Sequence, residues 1–201
     1  MNNPFHIRLA VVYHSGYGHT ARQAQAVARG ADAAGDVDVT LVPTDDVERH
    51  WDLLAQADAI VFGAPTYMGS ASAQFKVFMD ATSRTVFAAG GLWRDKVAAG
   101  FTNSAARSGD KLATLQQLVI FAAQHGMHWV NLGLPPGHNN SKSTEETTNR
   151  HGFFLGAAAQ SNADEGPDLA PPLADLLTAE HLGKRVASVA RQLVAGRAAV
   201  A

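Results

Sequence analysis

The sequence predicts an α/β protein in which a five-stranded parallel sheet is covered by helices on both faces, a doubly wound three-layer arrangement. Three observations carry that expectation. Short β-branched apolar runs alternate with segments of helical period, and the first run is joined to a helix start by a glycine-containing loop. The chain of 201 residues supplies one such domain, 1–201, without room for two complete cores.

The elements follow in order. Ile7–Tyr13 reads IRLAVVY, a run that fits a strand buried on both faces of a parallel sheet. Residues 20–34 place Ala24, Val27, Ala28 and Ala31 at helical spacing, and Gly35 supplies the stop. Further strands are expected at 37–42, 59–63 (AIVFG), 96–102 and 127–131. A helix starting near Ser72 carries Phe75, Val77, Phe78 and Met79, and another over 109–125 carries Leu112, Leu115, Leu118, Val119 and Ala122. The last, over 182–193, has Val186, Val189, Ala190 and Leu193 on one stripe. Residues 134–172 are rich in Gly, Asn, Ser, Thr and Pro, and a loop of that length is usually functional or mobile.

Composition excludes several classes of function. Hydrophobic residues make up 46% of the chain, enough to fill one core, while 16 Lys and Arg against 18 Asp and Glu leave a net charge of −2. That balance gives no global field to hold a nucleic-acid backbone. The absence of cysteine excludes disulfides, thiolate metal sites and thiol nucleophiles. The nine histidines form no H-E-x-x-H, so no metal site is expected. With no basic leader and no apolar run of about 20 residues, a soluble cytoplasmic protein without membrane contact is expected.

Three loops at the carboxyl ends of strands carry the chemistry, because ligands of doubly wound folds bind there. In Ser15-Gly16-Tyr17-Gly18-His19-Thr20, small residues admit a close backbone approach, the hydroxyls can donate, and the unpaired amides of a first helical turn point at an anion. Taken alone, this loop is equally a tight turn with a helix cap. It is neither G-x-G-x-x-G nor a Walker loop, which disfavours dinucleotide pyrophosphates and nucleoside triphosphates. Ala64-Pro65-Thr66-Tyr67-Met68-Gly69-Ser70 offers a fixed backbone, a hydroxyl and flat or polarisable surface for a ring. Phe101-Thr102-Asn103-Ser104-Ala105 ends a third strand in small polar residues. One loop for phosphate, one for a ring face and one for ring edges is the layout of a flavin mononucleotide site.

The strings SGYGHT, FGAPTYMGSASAQFKVFMD, GGLW and AAQHGM, in that order, resemble the flavodoxin-fold NAD(P)H:quinone oxidoreductases of the tryptophan-repressor-binding-protein type. The resemblance runs from about Arg8 to Met127 and returns in HLGKRVASVARQL. It implies a flavodoxin-like fold, FMN as cofactor, NADH or NADPH as donor, a quinone-like acceptor and a homodimer or homotetramer. By position, Ser15 to Thr20 would wrap the FMN phosphate, with Tyr17 also near the nicotinamide. Pro65, Thr66, Tyr67, Met68 and Gly69 would touch the isoalloxazine and ribityl groups, and Thr102, Asn103, Ser104 and Ala105 would border the pyrimidine side. His125 matches a flavin-facing histidine that would stabilise charge on the reduced ring, and Trp93 an aromatic lining the substrate space. The chain departs from the family pattern at Ala105, Ala106 and Arg107, which stand where the family is glycine-rich.

The expected activity is ping-pong hydride transfer from NAD(P)H through the flavin to the acceptor, the cofactor supplying the difficult chemistry. Two rivals stay open. One is a flavodoxin-type one-electron carrier, although such carriers are strongly acidic and this chain is not. The other is a non-catalytic flavin-binding regulatory protein, suggested by the altered 105–107 loop.

Overall fold

The computed structural model describes residues 6–200. Five positions of parallel sheet lie in the order β2 (Val37–Pro43), β1 (Ile7–Tyr13), β3 (Ala59–Tyr67), β5 (Val97–Ser104) and a fifth position made of two pieces. Helices α1 (His19–Asp32) and α5 (Leu173–Val200) cover one face. Helices α2 (Trp51–Gln56), α3 (Ala73–Thr82) and α4 (Lys111–Gln124) lie on the other.

Alternation along each strand builds both cores, because successive side chains point to opposite faces. Leu9, Val11, Ala59, Val61, Val97 and Ala99 pack beneath α1 and α5. Ala10, Val12, Ile60, Phe62 and Ala98 pack on the opposite side with Phe75, Phe78 and Phe121. Helices α1 and α5 meet closely. A Cβ on Gly30 would overlap the Glu180 carbonyl, and one on Gly183 the Val27 carbonyl.

Three expectations change. The strand expected at 127–131 pairs only as β6 (His128–Trp129), against the start of β5. The upper half of that position is β7 (Ala157–Gln160), which pairs with Phe101 to Ser104. Between them Gly133 takes a positive φ of 68° and Pro135-Pro136 lacks the amide donors a ladder needs, so the chain leaves the sheet. Secondly, the final helix spans 28 residues instead of the expected 182–193. Its buried stripe begins with Leu176 and Ala179, and Pro172 just before its first turn suits a helix start.

Thirdly, β3 and β5 run beyond their expected ends, to Tyr67 and Ser104. Residues read as loop are therefore the last strand residues, and alternation decides where each side chain points. A two-residue strand β4 (Ser70–Ala71) turns back on β3.

Candidate functional site

The carboxyl ends of β1, β3, β5 and β7 share one edge of the sheet, and a cavity of about 780 Å³ opens between the loops there. That volume lies within the range of roughly 300–1,000 Å³ usual for small-molecule sites. Tyr17, His19 and Thr20 line it from the first loop, and Pro65, Thr66, Tyr67 and Met68 from the second. Asn103, Ser104 and Ala105 line it from the third. The three sequence-predicted loops thus meet around one space.

The first loop is built to receive an anion. Gly18 caps α1 with φ 88°, a left-handed conformation that costs glycine nothing. Ser15 Oγ accepts the Ala21 amide at 3.1 Å, keeping its own proton available. The amides of Tyr17, Gly18, His19 and Thr20 have no protein acceptor among the described residues, and the first turn carries no acidic side chain. Unpartnered amides and the positive end of the helix dipole therefore converge at the cavity. A Cβ on Gly16 would sit 2.7 Å from the Tyr67 hydroxyl, so a larger residue there would have to displace the Tyr67 ring at the cavity wall. Among the described residues no Lys or Arg lines the cavity, which leaves amides and hydroxyls as its anion donors.

Tyr17 and Tyr67 meet edge to face with centroids 6.2 Å apart at the cavity wall. Burial raises the Tyr67 phenol above its usual value, and Tyr17 adds to this, so it stays a neutral donor. Met68 is fully exposed at a φ of 47°, held at the tip of the β3–β4 turn.

Two threonines behave otherwise than expected. Thr66 Oγ1 lies 2.8 Å from Thr102 Oγ1 and 2.7 Å from Thr114 Oγ1 of α4, a chain of three buried hydroxyls centred on Thr66. Strand alternation turns both Thr66 and Thr102 toward α4, so their hydroxyls tie the sheet to the helix, and Thr66 lines the cavity as well. Thr102 does not line the cavity, and neither do Ser15, Gly16, Gly18 and Gly69, although their loops do.

Within one chain the structure does not bring His125 or Trp93 to the cavity. His125 follows α4 and lies near the start of β5, where His128 pairs with Val97. The cavity is at that strand's other end, roughly 23 Å away at 3.3 Å per residue. Trp93 is 0% exposed among Phe62, Phe78, Phe121 and His125, a core residue and not a lining one. Thr82 donates its proton to the Met79 carbonyl at 2.6 Å, so His125 Nε2–H donates to Thr82 Oγ1 at 2.9 Å. Nδ1 is then a buried acceptor without a partner, and burial lowers the imidazole pKa, keeping the ring neutral.

The fourth wall was not foreseen residue by residue. Ser161, Ala163, Asp164, Glu165 and Gly166 close the cavity from the segment after β7. The Glu165 carbonyl takes the His19 Nε2 proton at 2.8 Å, and Asn103 Nδ2 donates to Ser161 Oγ at 2.9 Å. The turn-forming string SNADEGP, inside a long loop ending beside a helix start, was the available signal.

The model of a family described as NADPH-dependent FMN reductase matches residues 33–136, more than half of the chain, beginning after the first loop. Over 190 residues the chain is 48% identical to "Flavodoxin FldP" of Pseudomonas aeruginosa, covering 92% of this chain and 98% of that protein. It is 35% identical over 208 residues to an "NAD(P)H dehydrogenase (quinone)" of Azorhizobium caulinodans, covering 92% and 98%. Among solved structures it is similar to a flavodoxin, WrbA-like protein from Agrobacterium tumefaciens, with a TM-score of 0.72, 45% identity and coverage of 92% and 98%.

Proposed function

The chain belongs to the NADPH-dependent FMN reductase family and has the flavodoxin-like fold, and from that premise we propose that the cavity at the carboxyl edge holds FMN and serves ping-pong electron transfer from NAD(P)H to a quinone-like acceptor. The observation that carries this reading is the set of unpartnered amides from Tyr17 to Thr20 at the N-terminus of α1, opening into the cavity.

The donor set fits the group. A phosphate monoester takes amide and hydroxyl donors at a helix N-terminus without needing a basic side chain, and the pair Tyr17 and Tyr67 with Pro65 and Met68 gives flat, mostly apolar surface for a tricyclic ring. When bound, FMN supplies the redox chemistry itself, taking a hydride from NAD(P)H and returning two electrons to the acceptor. The protein's part is to bind, orient and polarise. The first loop and α1 hold the phosphate end, and Asn103, Ser104 and Ala105 meet the polar ring edge. Exposed Tyr17 and Met68 flank the opening that donor and acceptor would occupy in turn. Initial-rate plots against NAD(P)H at several acceptor concentrations should then be parallel, and converging lines would contradict alternate occupancy.

The amide cradle is tested by Thr20→Glu, which sets a carboxylate against the phosphate. FMN affinity by fluorescence titration should fall roughly tenfold or more, or about 1.4 kcal/mol. Thr20→Val, which keeps the shape and removes one donor, should cost less. Unchanged affinity in both variants rejects this placement of the phosphate.

His125 can meet a flavin only in the cavity of a second copy, since its own lies a strand's length away. Exposed Val77, Phe87 and Ile120 on the α3 and α4 side support a homo-oligomer, which light scattering on the purified chain measures. A second reading, a one-electron carrier, draws support from the 48% identical relative named a flavodoxin. Net charge near neutrality argues against it.

A further inference from the structure

Lys111 is fully buried, 0% exposed, at the first residue of α4. A cation is unfavourable at that end of a helix, because the dipole there is positive. Gly109 and Asp110, both at positive φ, turn the chain so that the Lys111 side chain runs back beneath residues 104–107. Its ammonium donates to Ser104 Oγ at 2.9 Å, to the Ala106 carbonyl at 2.9 Å and to the Arg107 carbonyl at 2.7 Å. All three partners are neutral oxygens. Among the described residues it forms no salt bridge, whereas the other buried cation nearby, Arg150, is paired with Asp175 and Glu145. Burial lowers the Lys111 pKa to about 8, with Asp175 opposing and Arg150 reinforcing the shift, so the group is mostly charged at neutral pH.

A buried charge without a counter-ion is expensive, and this one stands behind a cavity wall. Ser104, its hydroxyl partner, lines the cavity. The same ammonium turns the Ala106 and Arg107 carbonyls inward, and the Gln160 amide does so for Ala105 at 2.9 Å. In trans peptides the N–H groups of the following residues then point away from Lys111, to the exposed side of the loop.

We propose that Lys111 is a positioning residue for the 104–108 loop whose unpaired positive charge makes the cavity prefer an anionic ligand, specifically reduced FMN over oxidised FMN. This rests on the placement of FMN proposed above. Reduced FMN carries negative charge on its ring at neutral pH, and oxidised FMN does not. Lys111 therefore discriminates between them through the Ser104 wall, while the loop geometry it enforces serves both.

The test is anaerobic titration of the apoprotein with oxidised and with photoreduced FMN, for wild type, Lys111→Met and Lys111→Arg, with apoprotein melting recorded for each. Lys111→Met should weaken reduced FMN about tenfold more than oxidised FMN, equivalent to a midpoint potential about 30 mV more negative for a two-electron couple. Lys111→Arg, which keeps the charge, should restore the preference even where it lowers both affinities. Equal weakening of both forms would leave Lys111 a purely structural strut and overturn the proposal. Should Lys111→Met not fold, a Lys111→Arg protein that has lost the preference for reduced FMN overturns it equally. Thr20→Glu in the same titration separates the two readings: if it leaves both affinities unchanged, the placement of FMN fails, whatever Lys111 does.

Discussion

The folded chain holds the Lys111 proton less tightly than the unfolded chain does, and that difference is a stability statement. The native pKa is about 8 and the ordinary value is 10.5. Between those values the unfolded state binds more protons, so stability rises with pH across that window. Chemical denaturation at pH 7.5 and pH 10 should show wild-type apoprotein gaining stability relative to Lys111→Met as pH increases, and a gap that stays constant would place the pKa elsewhere. Lys111 had no signal in the sequence beyond a cation at the wrong end of a helix. Thr66 and Thr102 were legible as strand-end hydroxyls but not as a hydroxyl chain with Thr114, because that depends on which way the last strand residues face. Tyr17, His19 and Thr20 were legible because one short loop carries both their identity and their geometry. Trp93 and His125 were placed by resemblance alone, and nothing local distinguishes a core tryptophan from a lining one.

Gly30 and Gly183 act at the scale of the helix pair. Each lets a backbone carbonyl of the other helix approach within the space a methyl would need. Gly183→Ala should destabilise the protein by about 1–3 kcal/mol through overpacking, despite the gain in helix propensity. Gly196→Ala in the same helix meets nothing within 4 Å and should stabilise by roughly 0.5–1 kcal/mol. Thermal melts of the two variants should shift in opposite directions. The same helix shows why element boundaries were partly hidden. Leu176 and Ala179 extend its stripe, yet Asp175, Thr178 and Glu180 around them dilute the apolar period. The divided fifth strand was hidden for another reason: β6 and β7 are two and four residues long, and their pairing is settled by β5. By contrast β1, β3 and β5 announce themselves because strands buried on both faces must be apolar throughout.

For the whole molecule, the doubly wound arrangement gathers the ends of four strands on one edge and leaves the cavity there without a lysine or arginine among its described lining residues. Among the described residues no helix is long and apolar enough to cross a membrane. That architecture was legible from alternation alone, since parallel strands need helical crossovers and the crossovers fix where loops converge. The wall supplied by residues 161–166 was not, because a long irregular segment carries no period from which to place it. If this edge binds a flavin that NAD(P)H reduces directly, anaerobic mixing of the FMN-loaded protein with NADPH in a stopped-flow spectrophotometer will show it. Direct reduction gives rapid bleaching of the flavin absorbance with one NADPH consumed per flavin. Flavin absorbance that persists with NADPH alone, and bleaches only when a reductase is added, would contradict it and favour the one-electron carrier.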